Sequence, residues 1–399
     1  MSSARDFRIA ISDADIKGLQ AKLRNARLHE PLEGVGWEYG MHSQVMKDFV
    51  EYWANDFDWG KQERYLNSYK QFTMDCGEID LHFVHERSPD PAAIPLVLLH
   101  GWPCNFTDFH KMIRPLTQPA EVGGTQQSFH VVVPSLPGFA FSGQPKRPGY
   151  GPQQMGEAVN TLMLKLGYDR YVAQGGDFGG MVAYVLGALH FEHCAAVHSN
   201  ITICLPSFAN PWTMLQMANA SLPIARKYPL FLSAEDIKGL DGLSTYVKEE
   251  SGYAEIQKTK PDTLGYALND SPAGLLAWII EKMWRWVDGE LEACISKDEL
   301  LTNISLFWFT QSITSSMRLY REAIGPQSTA MPDILKHRCK APTAIAVFPK
   351  EIWTYPKSWV AKQYNLKRWT IMPAGGHFAA LEKPELLMDD MRAFFAENH

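Results

Sequence analysis

The sequence predicts an α/β protein built around a mostly parallel sheet with helices on both sides. Continuous apolar runs at 94–99, 129–133 and 343–348 alternate with helix patterns such as the one over 155–166. Strands that are apolar on both sides are typical of a parallel sheet whose two faces are covered by helices. Polar or glycine-rich segments directly follow these runs, at the strand ends where sheets of this kind hold their chemistry.

The first 90 residues favour helices followed by a hairpin. Ser12 can cap a helix, with Asp15 three residues later. A second helical pattern begins after Ser43. Apolar residues then alternate with polar ones on both sides of the Asp-Cys-Gly turn at 75–77, which is the pattern of a β-hairpin. We therefore predict an N-terminal extension over residues 1–90 that leads into the core.

The remaining chain divides into two core parts and an insertion between them. Strand and helix patterns predict a first core part over 91–204 and a last core part over 331–399, where strand patterns return at 343–348 and 368–372. Residues 205–330 are rich in helix formers and tryptophan and contain few strand-like runs. This insertion is predicted to form a helical cap that covers the active site.

Composition and charge exclude several classes of function. The 399 residues are 46% hydrophobic and 21% charged, as in ordinary globular proteins. The net charge of −6 argues against a nucleic-acid partner, since such proteins concentrate lysine and arginine. No apolar stretch has the length of a membrane span, and the N-terminus lacks a signal-peptide pattern. The six cysteines lack the spacing of metal or redox sites, so we expect reduced thiols, no metal and no cofactor. Taken together, these features predict a soluble cytoplasmic protein.

A glycine-rich turn follows the strand pattern at 171–174. It reads Gly-Gly-Asp-Phe-Gly over 175–179, and a strand, Gly-x-nucleophile-x-Gly and a helix form the nucleophile elbow of the α/β-hydrolase fold. A phosphate-binding loop fits less well, because neither the dinucleotide spacing nor a following Gly-Lys-Ser/Thr is present. We therefore predict an α/β-hydrolase fold in which Asp177 is the nucleophile.

An aspartate at this position restricts the reaction. A carboxylate attacks saturated carbon and forms an alkyl ester, which water can hydrolyse at its carbonyl, whereas a serine would form an acyl-enzyme. Suitable substrates therefore carry a leaving group on saturated carbon, as epoxides and alkyl halides do. Ordinary esterase and lipase chemistry is excluded.

Hydrolysis of such an ester requires a base and an acid behind it. His377 follows the last predicted strand and Glu351 follows the preceding one. The order Asp177, Glu351, His377 matches the nucleophile, acid and histidine order of this fold. Asp333 is the alternative acid, but it precedes its strand and so lies at the opposite end of the sheet.

The negative charge that develops on the Asp177 carboxylate must meet N–H donors. In this fold one donor is the amide after the nucleophile, here Phe178. The other comes from the loop after an early strand, here HGWP at 100–103. We predict the Trp102 amide as this second donor, and His100 as an anchor of the loop rather than a base.

Five motifs in a fixed order resemble those of the microsomal-type epoxide hydrolases, above all their soluble fungal members: HGWP, VVPSLPGFAFS, QGGDFGG, FPKEI and GGHFAALEKPE. FDW at 57–59 resembles that family's N-terminal extension domain, so the resemblance spans nearly the whole chain. It implies an epoxide hydrolase, which forms a vicinal diol through a covalent ester on Asp177. We expect a role in detoxification, with a biosynthetic role as the open alternative.

The resemblance also implies two proton donors. The family uses two cap tyrosines on the epoxide oxygen, and an alkoxide is a poor leaving group without such a donor. MRLYRE resembles the segment that carries one of them, which implies Tyr320. GYA resembles the other and implies Tyr253, with Tyr246 and Tyr266 as alternatives. The competing interpretation is that these tyrosines only pack at a helix surface.

The chain departs from the family pattern at two places. Cys104 and Asn105 follow HGWP where the family often has Gly-Ser, which bears on the loop and one wall of the pocket. Phe178 replaces the tryptophan or small aliphatic residue of relatives. This should change pocket shape more than mechanism, since only the amide is required.

Three other functions stay open. A haloalkane or haloacid dehalogenase would use the same residues, but it needs N–H donors for halide, and Phe178 offers none beside the nucleophile. A biosynthetic epoxide-opening cyclase cannot be separated from a hydrolase by sequence. A catalytically silent binding protein is disfavoured by the intact set of Asp177, Glu351 and His377. The expected partner is a small epoxide, and a homodimer is expected only by analogy with similar enzymes.

Overall fold

A nine-stranded sheet forms the centre of the computed structural model, which describes residues 4–118, 127–204, 211–221 and 232–399. The strands are β1 (Arg5–Phe7), β2 (Gln71–Asp75), β3 (Asp80–Glu86), β4 (Ile94–Leu99), β5 (Phe129–Pro134), β6 (Tyr171–Gly175), β7 (Cys194–Ser199), β8 (Cys339–Val347) and β9 (Tyr364–Ile371).

Six neighbouring strands pair parallel with one another, and the other three pair antiparallel. The order across the sheet is β1-β2-β3-β5-β4-β6-β7-β8-β9, with antiparallel pairing from β1 to β5 and parallel pairing from there on. All residues of β6 and β7 are buried, because helices cover both faces. The predicted mostly parallel sheet is confirmed.

Helices occupy most of the remaining described chain. Before the insertion they are α1 (Asp13–Arg24), α2 (Ser43–Asn55), α3 (Trp59–Leu66), α4 (His110–Thr117), α5 (Pro152–Lys165) and α6 (Asp177–Leu189). Between β7 and β8 they are α7 (Pro211–Ser221), α8 (Ala234–Thr245), α9 (Gly252–Thr259), α10 (Pro261–Asp270), α11 (Pro272–Trp286), α12 (Leu291–Cys294), α13 (Lys297–Thr310), α14 (Ile313–Ile324) and α15 (Ala330–Leu335). The last are α16 (Lys357–Gln363), α17 (Ala379–Glu382) and α18 (Pro384–Phe395).

The N-terminal elements follow from local signals. The Ser12 side chain accepts a hydrogen bond from the amide of Asp15 and caps α1 as predicted. Strands β2 and β3 pair antiparallel with Phe72 opposite Phe83, which confirms the predicted hairpin. The sequence did not predict β1, α3 or β7. β1 spans only three residues, and β7 reads Cys-Ala-Ala-Val-His-Ser, a mixed composition with weak strand character.

The N-terminal helices pack against the inserted helices. The Trp53 indole donates to the hydroxyl of Ser305 on α13 over 3.1 Å. Trp37 stacks on Trp284 of α11 with ring centroids 4.2 Å apart. The insertion is therefore held from two sides, by the sheet core and by the extension. The first residues of the predicted cap, 205–210, lie outside the described residues.

Three further features concern the described part of the chain as a whole. None of its helices combines the length and apolar character that crossing a bilayer requires. All six cysteines are free thiols. The same residues contain no group of three or more histidine, cysteine or acidic side chains that could hold a metal ion.

Candidate active site

The turn between β6 and α6 is tight and strained. Asp177 begins α6 with a φ of 50°, a left-handed conformation that L-residues rarely adopt. A Cβ atom added to Gly179 would lie 1.9 Å from the carbonyl oxygen of Leu99 at the end of β4. Only glycine allows the helix to pack so close to the strand. The turn therefore holds the Asp177 carboxylate at the carboxyl end of the sheet.

Three predicted residues meet at this point. The Nδ1 atom of His377 lies 2.5 Å from Oε1 of Glu351, and its Nε2 atom lies 3.5 Å from Oδ2 of Asp177. The same Glu351 oxygen also accepts the amide of Ile352 over 2.8 Å. The His377 and Glu351 side chains are almost completely buried, whereas Asp177 keeps 17% of its side chain exposed. The arrangement has the geometry of a nucleophile, a base and an orienting acid.

The charge state of His377 follows from its neighbours. Burial disfavours the imidazolium, but the carboxylates of Glu351 and Asp177 outweigh burial and raise the pKa of His377 to about 10. The resting site therefore contains an imidazolium between two carboxylates. Asp333, the alternative acid, pairs with Lys336 at the surface instead.

One of the two predicted amide donors reaches the nucleophile directly. The Trp102 amide donates to Oδ1 of Asp177 over 2.9 Å. The Phe178 amide makes no hydrogen bond to that carboxylate among the described contacts, so its role stays a prediction. His100 anchors the loop as predicted, because its Nε2 atom accepts the amide of Leu136 over 3.0 Å. Burial lowers the pKa of His100 to about 4, which keeps the ring neutral and able to accept.

Both predicted tyrosines pack against residues beside the nucleophile. The hydroxyl of Tyr320 donates to that of Tyr253 over 3.3 Å. The Tyr253 ring stacks on Trp102 with centroids 5.1 Å apart, and the Tyr320 ring meets Phe178 edge to face at 4.8 Å. Both are buried, and burial raises the pKa of each phenol well above its usual value. They are therefore neutral hydrogen-bond donors near neutral pH.

The two alternative tyrosines are placed differently. Tyr246 lies in a π-helical turn, Tyr246–Glu250, and its hydroxyl lies 3.1 Å from that of Tyr253. It thus contacts a predicted donor. Tyr266 is 83% exposed on α10 and does not contribute to this site.

Trp286 is part of the site although the sequence did not single it out. Its ring lies between those of Tyr253 and His377, with centroid distances of 5.5 Å and 5.2 Å. Its carbonyl oxygen accepts the His377 amide over 3.0 Å. Two residues further, the Asp288 carboxylate accepts the amide of Gly375 over 2.8 Å. The end of α11 is therefore tied to the loop that carries the histidine. The sequence shows that the insertion is rich in tryptophan, but it does not indicate which of these tryptophans reaches the site.

Gly101 offers a test of this close packing. A Cβ atom at this position would lie 2.4 Å from both Cβ and Oδ1 of Asp177. We expect Gly101→Ala to displace the nucleophile, and a displacement of roughly 1 Å can reduce the rate by about 10²-fold. Gly18→Ala on α1 is the matched control, since nothing lies within 4 Å of its added Cβ. Wild-type turnover in a folded Gly101→Ala protein, checked by circular dichroism, would contradict the described placement.

Comparison with known proteins places this site in a family context. A family model of the epoxide hydrolase N terminus matches residues 4–109, and a model of the alpha/beta hydrolase fold matches residues 94–237. The chain is 38% identical to epoxide hydrolase 1 of Sus scrofa over 98% of this chain and 88% of the relative. It is 36% identical to juvenile hormone epoxide hydrolase 2 of Ctenocephalides felis over 98% and 85%.

Solved structures agree with these matches. The epoxide hydrolase of Aspergillus niger superposes with a TM-score of 0.86 at 32% identity, covering 100% of this chain and 97% of that one. The juvenile hormone epoxide hydrolase of the silkworm Bombyx mori gives a TM-score of 0.90 at 31% identity, covering 100% and 95%. The predicted α/β-hydrolase fold is confirmed.

Proposed function

Since the chain belongs to the epoxide hydrolase family, we propose that it converts an epoxide and water to a vicinal diol through an alkyl ester on Asp177. One observation carries this proposal: the Asp177 carboxylate lies within reach of both an amide donor and a buried histidine–glutamate pair. The paired hydroxyls of Tyr253 and Tyr320 supply the proton donors. Phe178 offers no N–H donor from its side chain, so epoxide opening fits better than halide release.

In the first step the two tyrosine hydroxyls bind the epoxide oxygen. An Oδ2 lone pair of Asp177 attacks a ring carbon, the carbon–oxygen bond of the ring breaks, and the alkoxide takes a proton from one phenol. The products are an uncharged ester, a free hydroxyl on the neighbouring carbon and a phenolate.

Loss of the Asp177 charge then prepares the second step. That carboxylate is one of the two groups that raise the pKa of His377, so ester formation lowers this pKa. The phenolate takes up a proton, the imidazolium gives one up, and the neutral imidazole becomes a base.

In the second step water attacks the carbonyl carbon of the ester and not the carbon of the substrate. His377 removes a proton from water, the hydroxide adds to the carbonyl carbon, and the Trp102 and Phe178 amides bind the resulting oxyanion. The bond between this carbon and the alkyl oxygen breaks, and the departing diol oxygen takes the carboxyl proton. The oxygen from water stays in Asp177, and the site regains its carboxylate and imidazolium.

Isotope labelling tests this proposal. In a single turnover with excess enzyme in H₂¹⁸O, we expect the label in the peptide that contains Asp177 and not in the diol, as measured by mass spectrometry. Repeated turnover is the internal control, because the labelled carboxylate then passes part of its label to later diol molecules. Label in the diol after one turnover would mean direct attack of water and would refute the covalent scheme.

We also propose four further properties of the protein. They are a cytoplasmic location, a role in detoxification, a homodimeric state and domain limits at residues 90, 204 and 330. Cell fractionation, gene deletion under epoxide stress, light scattering and limited proteolysis test them in turn.

A further inference from the structure

A small cavity of about 30 Å³ adjoins the catalytic residues. Asp177, His377, Gln174 and Asn200 are among the residues that line it, and none of the lining residues belongs to the described parts of the insertion, 211–221 and 232–330. The described lining of the cavity thus comes from the core, and neither Tyr253 nor Tyr320 contributes to it.

Two residues that line the cavity each carry a buried polar atom without a hydrogen-bond partner among the described residues. These atoms are Oε1 of Gln174, a residue only 1% exposed, and Nε1 of Trp102. The other end of the Gln174 amide is fixed, because its Nε2 atom donates to Oδ1 of Asn200 over 3.1 Å. Unpaired buried polar atoms are costly, and an internal water commonly satisfies them. A water needs roughly 10–15 Å³ of such space, so the cavity has room for one or two.

A second, larger cavity of about 310 Å³ lies beside the first. Asp108 and Leu381 line both cavities and so form the boundary between them. The larger cavity lies between Lys61 and Gln62 of α3 and the residues of α13. The Lys61 side chain is 66% exposed, so this cavity reaches the protein surface.

Asp108 has the chemistry to hold water at this boundary. Its carboxyl interacts with the Cys104 thiol and accepts no hydrogen bond from any other side chain or amide among the described residues. Burial raises its pKa to about 7, and His377 and Asp177 are the charged groups that act on it. A carboxyl group near its pKa can accept a hydrogen bond from water or donate one.

We propose that the small cavity holds the water that hydrolyses the Asp177 ester, and that Asp108 passes this water inward from the larger cavity. Water and epoxide then approach Asp177 from opposite sides, since neither cavity is lined by Tyr253 or Tyr320. The water gives its proton to His377 and its oxygen to the ester carbonyl, and Asp108 positions it without joining either transfer. This inference rests on the function proposed above.

Transient kinetics separates the two steps on which the proposal depends. On mixing enzyme with styrene oxide, stopped-flow tryptophan fluorescence follows ester formation and decay, and rapid acid quench with mass spectrometry counts the ester. We expect Asp108→Leu to slow ester hydrolysis by roughly 10- to 100-fold, the effect of losing one hydrogen bond to a charged group. Ester formation should stay within about threefold, since its donors are unchanged. Asp108→Glu should restore much of the hydrolysis rate.

Asp298→Asn is the matched control, because Asp298 lines the larger cavity but not the small one. It should leave both rates unchanged. An equal loss of both rates in Asp108→Leu, or no change in either, would overturn the proposal. A wild-type protein that forms no ester would refute the proposed function instead.

A crystal structure of the wild-type protein gives a test that does not depend on the folding of a variant. We expect an ordered water bonded to Oε1 of Gln174 and within reach of the Asp108 carboxyl. A small cavity without ordered water at high resolution would refute the inference.

Discussion

Replacing His377 with glutamine is expected to stop the reaction after the first chemical step. Ester formation needs Asp177 and the tyrosines, whereas ester hydrolysis needs a base. Turnover should fall by about 10²- to 10⁴-fold, the range that general-base catalysis contributes. Intact-protein mass spectrometry after addition of styrene oxide should show one added substrate mass, and peptide mapping should locate it on Asp177.

His29→Gln is the control for this experiment, since His29 is an exposed histidine far along the chain from the site. It should keep full turnover and show no adduct. An unmodified Asp177 in His377→Gln after exposure to substrate would count against the covalent scheme, whatever the turnover rate.

The double substitution Tyr253→Phe with Tyr320→Phe is expected to have the opposite kinetic effect. Both rings stay in place, but the epoxide oxygen loses its hydrogen-bond donors. Ester formation should slow by about 10²- to 10⁴-fold, the contribution of general-acid catalysis. No ester should accumulate, because the slow step now precedes it. Single-turnover quench experiments measure this directly.

Tyr266→Phe is the matched control, because its ring lies at the surface and should leave ester formation unchanged. Tyr246→Phe tests the third tyrosine separately from the proposed pair, since its hydroxyl lies 3.1 Å from that of Tyr253. If the double variant accumulated ester at the wild-type rate, the two phenols could not be the acids.

A single change of charge connects these two experiments. The Asp177 carboxylate contributes to the raised pKa values of His377 and of both phenols. When Asp177 becomes an uncharged ester, the phenols become stronger acids and the imidazole becomes able to accept a proton. In the proposed mechanism, ester formation therefore lowers the pKa of His377 and of both phenols, which prepares His377 to act as the base of the second step.

Much of the fold could be predicted because its signals are local. Buried parallel strands such as β4 and β5 are continuous apolar runs, and the nucleophile turn requires glycines at fixed places. β7 lacked this signal, since its histidine, serine and cysteine are buried by neighbours that are distant in sequence. Burial of such residues depends on tertiary packing, which periodicity does not report.

The same distinction applies to the site. Asp177, Glu351 and His377 each follow a strand, so topology places them together, and the structure gives the distances between them. Trp286 and Asp108 belong to none of the five motifs, and Gln174 lies in QGGDFGG only as a residue before the nucleophile turn. Their positions depend on how α11, β6 and the turn before α4 pack in three dimensions. Sequence reasoning could therefore find the reacting groups but not the groups that surround them.

The link between Trp286 and His377 has a consequence for how substrate is admitted. A rigid-body movement of the whole cap would displace the catalytic base, because the end of α11 and the histidine loop share a backbone hydrogen bond. The position of the cap helix and the position of His377 are therefore coupled. We therefore expect substrate access through local movements of side chains or short segments. Mutations that enlarge the opening elsewhere in the cap should then change which epoxides are accepted without disturbing the base.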